Sequence, residues 1–255
     1  MALFSKDVFG HYNILKRILI SVVGLITFPR FNWINKTKIT GTEHLEKLRA
    51  KNVLFVSNHQ TYFADVIAMQ HVFCSVKWGF KNSIRNPIYL LNPMITSSFI
   101  AAKETMKAGL LPKIFAYAGS ISIKRTWREA GKDINRQVDL SEITKIENAL
   151  NQGWVITFPQ GTTTPYVDGR RGTAHIIKEF KPIVIPVVID GFRRAFDKKG
   201  LRLKKRGVNL SLTFKAPIEI DFNDTSDSIM DKIMFEIEQS KIFAFEKNEA
   251  VKIEV

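Results

Sequence analysis

An apolar run from Val53 to Ser57 ends on Asn58 and His59, and Asp65 follows after five intervening residues. An imidazole titrates near neutral pH, so it can take a proton from a hydroxyl and pass it on. A carboxylate on its other ring nitrogen fixes the tautomer and stabilises the imidazolium that forms. His59 and Asp65 could therefore do general-base chemistry if an element end presents them to substrate. A strand over 53–57 feeding a helix that begins near Asp65 meets that need, because an α/β sheet exposes functional groups beyond the carboxyl ends of its strands. The other histidines, His11, His44, His71 and His175, have no comparable setting and read as structural or surface residues. The chain has no P-loop, GxGxxG, HExxH, CxxC or GxSxG pattern, so nucleotide hydrolysis, metalloproteolysis and serine hydrolysis lose their usual support, and no metal site is expected.

The elements that must position this pair follow from hydrophobic period. Short runs rich in Val, Ile and Phe alternate with segments of helical spacing, which predicts a single α/β domain with a mixed, largely parallel central sheet flanked by helices. Strands are expected over 53–57, 76–80, 120–124, 154–158, 183–189 and 208–214. Helices are expected over 43–50, 65–73, 87–100, 107–118, 140–152 and 173–180. Asp139 with Glu142 makes a helix start before the fifth of these, and Gly153 a stop. After Pro217 the chain turns acidic, and Ile229, Ile233, Phe235, Ile237 and Ile242 give a covering helix from about Thr225 to Lys247. The expected organisation is an N-terminal amphipathic, membrane-associating helical segment (1–36), a catalytic domain (37–222) and the covering helix (223–255), without repeats or linkers.

The 255 residues carry 38 Lys and Arg against 24 Asp and Glu, a net charge of +14, with 45% hydrophobic residues. Collagen, disordered tail and disulfide scaffold are excluded. Cys74 is the single cysteine, so no internal disulfide forms, which fits a reducing compartment. The positive balance calls for an anionic partner: nucleic acid, an anionic membrane surface or acidic substrates. Eight of the fourteen residues from Arg193 to Arg206 are basic and only Asp197 opposes them, which suits either a binding patch or a solvated hairpin. No helix-turn-helix, zinc-finger or RNP-like pattern accompanies the charge, so specific nucleic-acid binding is not expected.

Residues 18–28 carry no charge and follow Lys16 and Arg17. No small-residue cleavage site comes after them, so the segment is expected to stay in the mature protein. As a helix these residues would span only about 16 Å, about half a bilayer's hydrocarbon core. With Phe31 and Trp33 after it, such a helix suits either the membrane interface or the core of the domain.

Four blocks in fixed order give the chain a family likeness. Asn58, His59 and Asp65 form the first. Gly119, Ile121, Ile123 and Arg125 form the second, a G-x-I-x-I-x-R strand. Phe158, Pro159, Gln160, Gly161 and Thr162 form the third. An apolar run around Pro186 (Val184, Ile185, Val187, Val188) forms the fourth. Over about residues 52 to 190 the chain resembles the lysophosphatidic acid acyltransferase (PlsC-like) family of glycerolipid acyltransferases.

The resemblance implies transfer of a fatty acyl group from an acyl thioester, acyl-CoA or an acidic acyl carrier protein, to the hydroxyl of a lysolipid acceptor. Neither a resident cofactor nor an acyl-enzyme is implied. His59 would accept the hydroxyl proton, Asp65 would orient His59, and Arg125 would pair with an acceptor phosphate through its bidentate fork. Asn58 and the Phe158–Thr162 block would contact substrate, with Gly161 and Thr162 offering N–H groups to a developing oxyanion. The same Pro-Gln-Gly run also reads as a plain strand-ending turn. The expected location is the cytoplasmic face of the cell membrane, peripheral or monotopic.

Two positions depart from the family pattern. Five residues rather than four separate His59 from Asp65, which rotates an ideal helix by about 100° and requires a turn at residues 60–63 to absorb it. Gln160 replaces the family's Glu, and Thr163 stands where many members carry Arg, so Arg170, Arg171 or Lys124 would have to supply a cation, or the headgroup would be an aminolipid carboxylate. These departures also fit a different class, a catalytically silent relative that binds membrane as an interaction module.

Overall fold

The computed structural model describes residues 5–103, 110–124, 128–129, 132–133 and 140–245. In chain order the strands are β1 (Lys36–Thr40), β2 (Val53–Ser57), β3 (Ser97–Ala102), β4 (Ser120–Ile123), β5 (Arg128–Glu129), β6 (Lys132–Asp133), β7 (Trp154–Thr157), β8 (Ile183–Asp190) and β9 (Asn209–Phe214). The helices are α1 (Asn13–Asn32), α2 (Glu43–Glu46), α3 (Ala64–Lys77), α4 (Leu110–Tyr117), α5 (Leu140–Gln152), α6 (Arg171–Phe180), α7 (Phe192–Ala195) and α8 (Ser226–Glu236), with a 3-10 turn at Pro87–Leu91. Among the described residues, seven strands form one sheet in the order β1-β9-β8-β2-β7-β3-β4. Every neighbouring pair is parallel except β8 and β9.

The apolar run of β2 has a direct cause: it lies mid-sheet and all five of its residues are buried. Val53 and Phe55 face the side covered by α1 and α3, while Leu54 and Val56 face α5, α6 and α8. A strand covered on both faces has no reason to alternate with polar residues. The same two-sided cover makes α/β with a mostly parallel sheet the observed class, as the sequence predicts.

Several element expectations need correction. Residues 76–80 are not a strand: α3 continues to Lys77, and the chain then turns with Trp78 and Gly79 donating to the carbonyls of Ser75 and Val76. A short apolar run at a helix end cannot be told from a strand by period. Residues 87–100 are not a helix. The 3-10 turn stops before Asn92-Pro93, since the residue before proline avoids the helical region, and β3 begins at Ser97. Small polar Ser97 and Ser98 are nevertheless buried in that strand. The polar edge strand β1 was not expected, and α2 is a single turn rather than a helix to Ala50. The covering helix is interrupted after Glu236, with Glu238 in the left-handed region, and helix resumes over 241–245, where Ile242 and Phe245 are exposed. Residues 246–255, Asp139 and Lys107 lie outside the described residues. Gly153 does follow α5, and its deeper constraint is a close approach: a Cβ there would stand 1.6 Å from the Thr96 carbonyl oxygen.

Helix α1 is longer than the uncharged run and spans 20 residues. Its inner face buries Lys16, Ile20, Gly24, Thr27, Phe28 and Phe31, while Leu15, Ile18, Val22, Leu25 and Ile26 are exposed on its outer face, as is Trp33 just beyond it. The inner face thus joins the core of the domain, and the outer face is left exposed. Among the described residues, no helix is long and apolar enough to cross a membrane.

Candidate active site

Three adjacent parallel strands, β8, β2 and β7, bring their carboxyl ends to one edge of the sheet. His59 lies just past β2 with 13% of its side chain exposed, and its Nδ1 is 2.9 Å from Asp65 Oδ2. A carboxylate oxygen only accepts, so Nδ1 carries the proton toward Asp65, and in the neutral imidazole Nε2 is left with its lone pair. Asp65 is fully buried in the first turn of α3. It also accepts the Gln60 N–H at 2.6 Å, the Thr61 N–H at 3.0 Å and the Thr61 hydroxyl at 2.7 Å. A buried carboxylate needs such donors to remain charged.

The same contacts explain how the longer spacing is accommodated. Residues 60–63 form bends, which turn the amides of Gln60 and Thr61 inward onto Asp65. The next two amides, of Tyr62 and Phe63, point the other way and donate at 3.0 Å to the carbonyls of Lys198 and Lys199. The basic loop therefore supports the His59 loop through its main chain, and the extra residue does not separate the pair.

The block after β7 packs against the histidine. The Phe158 ring stacks on the His59 imidazole with centroids 3.8 Å apart and planes 22° from parallel. Gly161 has a φ of +63°, which favours glycine, and its N–H closes the turn on the Phe158 carbonyl at 2.9 Å. The Pro159 carbonyl accepts the Arg170 N–H at 2.8 Å, and the Thr162 hydroxyl meets that of Thr164 at 3.3 Å. His59, Asp65 and residues 158–162 thus lie together at one edge of the sheet.

Two residues expected to touch substrate point elsewhere. Asn58 is buried, donating to the Ile189 carbonyl at 2.8 Å and accepting its N–H at 2.7 Å, so its amide ties the end of β2 to β8. Gln160 is also buried, and its Nε2 donates to the Val167 carbonyl at 2.9 Å, bracing the turn. Arg125 lies outside the described residues.

Of the cations considered at this edge, Arg171 is committed to Asp227 by two 2.7 Å hydrogen bonds. Arg194 pairs with Asp190 at 2.8 Å. Burial alone would raise the Asp190 carboxyl; the bonds and charge of Arg194, with help from the Gly191 N–H and Gln60, hold it below its ordinary range. Sequence reasoning missed three contributors. Gln60 accepts the Arg193 N–H at 3.1 Å and donates to the Ile189 carbonyl at 3.0 Å. Thr61 fixes Asp65, and Arg193 donates from Nη2 to the Thr163 carbonyl. Gln60 and Thr61 follow His59 directly and were open to notice. Arg193 is 134 residues away, and no local signal links it to the site. Among the described residues, no group of three or more His, Cys, Asp or Glu could hold a metal ion.

A protein-family model described as Acyltransferase matches residues 36–190. Among solved structures the chain is similar to the 1-acyl-sn-glycerophosphate (LPA) acyltransferase PlsC from Thermotoga maritima. The TM-score is 0.54 at 19% identity, covering 91% of this chain and 79% of that one. At that identity the likeness is one of fold. No curated protein matches the chain.

Proposed function

Because the chain belongs to the Acyltransferase family, we propose that it moves a fatty acyl group from acyl-CoA or acyl carrier protein to the hydroxyl of a lysolipid. The first acceptor is 1-acylglycerol-3-phosphate, which would give phosphatidic acid; a lyso-aminolipid is the related choice. The observation that carries the reading is the His59–Asp65 hydrogen bond at 2.9 Å, with the histidine partly open at the carboxyl edge of the sheet.

His59 Nε2 takes the acceptor's hydroxyl proton as that oxygen attacks the thioester carbonyl. The tetrahedral intermediate collapses, the carbon–sulfur bond breaks, and the imidazolium returns its proton to the leaving thiolate. Asp65 stabilises the imidazolium between these steps. The Gly161 N–H is used within its own turn, so the Thr162 N–H is proposed as an oxyanion donor. Acyl thioester and acceptor supply everything the reaction needs, without a resident cofactor. Arg125 remains proposed as an acceptor-phosphate contact. A catalytically silent relative has less to support it, because the longer spacing leaves the pair joined.

The exposed apolar residues of α1 are spaced along one side, at 15, 18, 22, 25 and 26. Arg30, at the end of α1, donates to the Leu201 carbonyl at 2.5 Å and so joins this helix to the basic loop. Apolar area together with cations suits peripheral attachment to an anionic membrane, on the cytoplasmic side. The acyl-transfer reading is tested by incubating the purified protein with lysophosphatidic acid and lyso-aminolipids, each with acyl-CoA and acyl carrier protein donors. A diacyl product is expected from at least one pair. Free acid alone, or no product from any pair, overturns the reading.

A further inference from the structure

Arg193 is held from both segments that build the site. Its main-chain N–H donates to Gln60 Oε1 at 3.1 Å, next to the catalytic histidine, and its Nη2 donates to the Thr163 carbonyl at the end of the turn that follows Phe158. Its own carbonyl accepts Lys204 Nζ at 3.3 Å. The neighbouring cation, Arg194, is neutralised by Asp190. Arg193 has no carboxylate partner among the described residues, and its side chain is exposed. A guanidinium carries five N–H donors, and only one of them goes to Thr163. The result is a fixed, uncompensated cation with spare donors, suspended between the His59 loop and the 158–164 turn.

We propose that Arg193 is a phosphate-binding residue of this site, its guanidinium gripping a phosphomonoester on a bound substrate. The acceptor's headgroup is the first source and the phosphates of a coenzyme A donor the second. The assignment rests on the acyl-transfer reading for its substrates, and its test does not need turnover.

Equilibrium binding of sn-glycerol 3-phosphate and of coenzyme A to the full chain, followed by ligand-observed NMR, separates the sources. Arg193→Ala is expected to weaken sn-glycerol 3-phosphate at least about tenfold, the range of a charge-assisted hydrogen bond. Arg193→Lys should retain part of the affinity, because it keeps the charge and loses the fork. Lys205→Ala removes an equal charge from the same loop without baring a carboxylate and should leave binding within twofold. A loss confined to coenzyme A would support the same phosphate contact and assign it to the donor. Unchanged binding of both ligands in Arg193→Ala, an equal loss in Lys205→Ala, or a wild-type protein that binds neither, overturns the proposal. Phosphate binding through Arg193 in a protein that acylates nothing would sink the acyl-transfer reading instead. Acylation with unaltered phosphate affinity in Arg193→Ala would sink only this inference.

Discussion

His59 lies in the loop before α3 and His71 in the middle of that helix, and the two have opposite surroundings. His59 has a carboxylate on Nδ1, an aromatic ring against one face and a partly open side chain. His71, on α3, has neutral partners on both nitrogens: the Tyr89 hydroxyl 2.8 Å from Nδ1 and the Thr27 hydroxyl 3.0 Å from Nε2. It is buried, and that burial pushes its pKa from 6.5 down to about 3. His71 is therefore a neutral polar pin that fastens α1 and the 3-10 turn to α3. The charge of the partner and access to substrate, not the presence of an imidazole, decide which histidine can cycle a proton.

The largest effect should come from replacing the histidine on the open side. His59→Ala is expected to lower kcat by about 10²–10⁴-fold, with the circular dichroism spectrum and thermal midpoint little changed. Activity within a few fold of wild type would remove the general-base role and with it the contrast. Asp65→Asn keeps the shape but replaces the anion with an amide, and the expected loss in kcat is at least about 10²-fold. If it is harmless, another group orients His59.

The buried side of the comparison gives a stability effect. His71 is neutral in the fold down to about pH 3 but takes up a proton near 6.5 when unfolded. The unfolded state therefore binds more protons between these values. Its contribution is fully present above pH 6.5 and is lost as pH falls toward 3, at up to about 1.4 kcal/mol per pH unit. Denaturant unfolding of wild type and His71→Gln from pH 4 to pH 7 should give a shallower slope for the variant. Parallel slopes would mean that His71 is not held neutral. Activity per folded molecule should differ by no more than a few fold.

The pairing of these residues was partly legible in the sequence. A fully buried strand advertises itself by an unbroken apolar run, so β2 and the place of His59 at its end followed from local pattern. The five-residue gap could not be resolved locally, because the loop that absorbs it depends on carbonyls of Lys198 and Lys199, more than a hundred residues on. The same holds for Asn58 and Gln160, for which the family resemblance implies substrate contact while their partners, Ile189 and Val167, turn them inward. β3 was hidden for another reason. Its Ser97 and Ser98 are small enough to be buried on the two faces of the sheet, and Ser97 bonds to Gln70 at 2.6 Å, so polar residues occupy a strand that hydrophobic patterning passes over.

The central claim is that His59 and Asp65 act as one unit in acyl transfer, and the double variant His59→Ala/Asp65→Asn measures that most directly. Groups that work as a unit lose function non-additively. With the best acceptor and donor pair, kcat of the double variant should therefore equal that of His59→Ala within about twofold, because Asp65 has nothing left to orient. A double variant slower by the product of the two single losses would contradict the account, since Asp65 would then contribute to the reaction independently of His59.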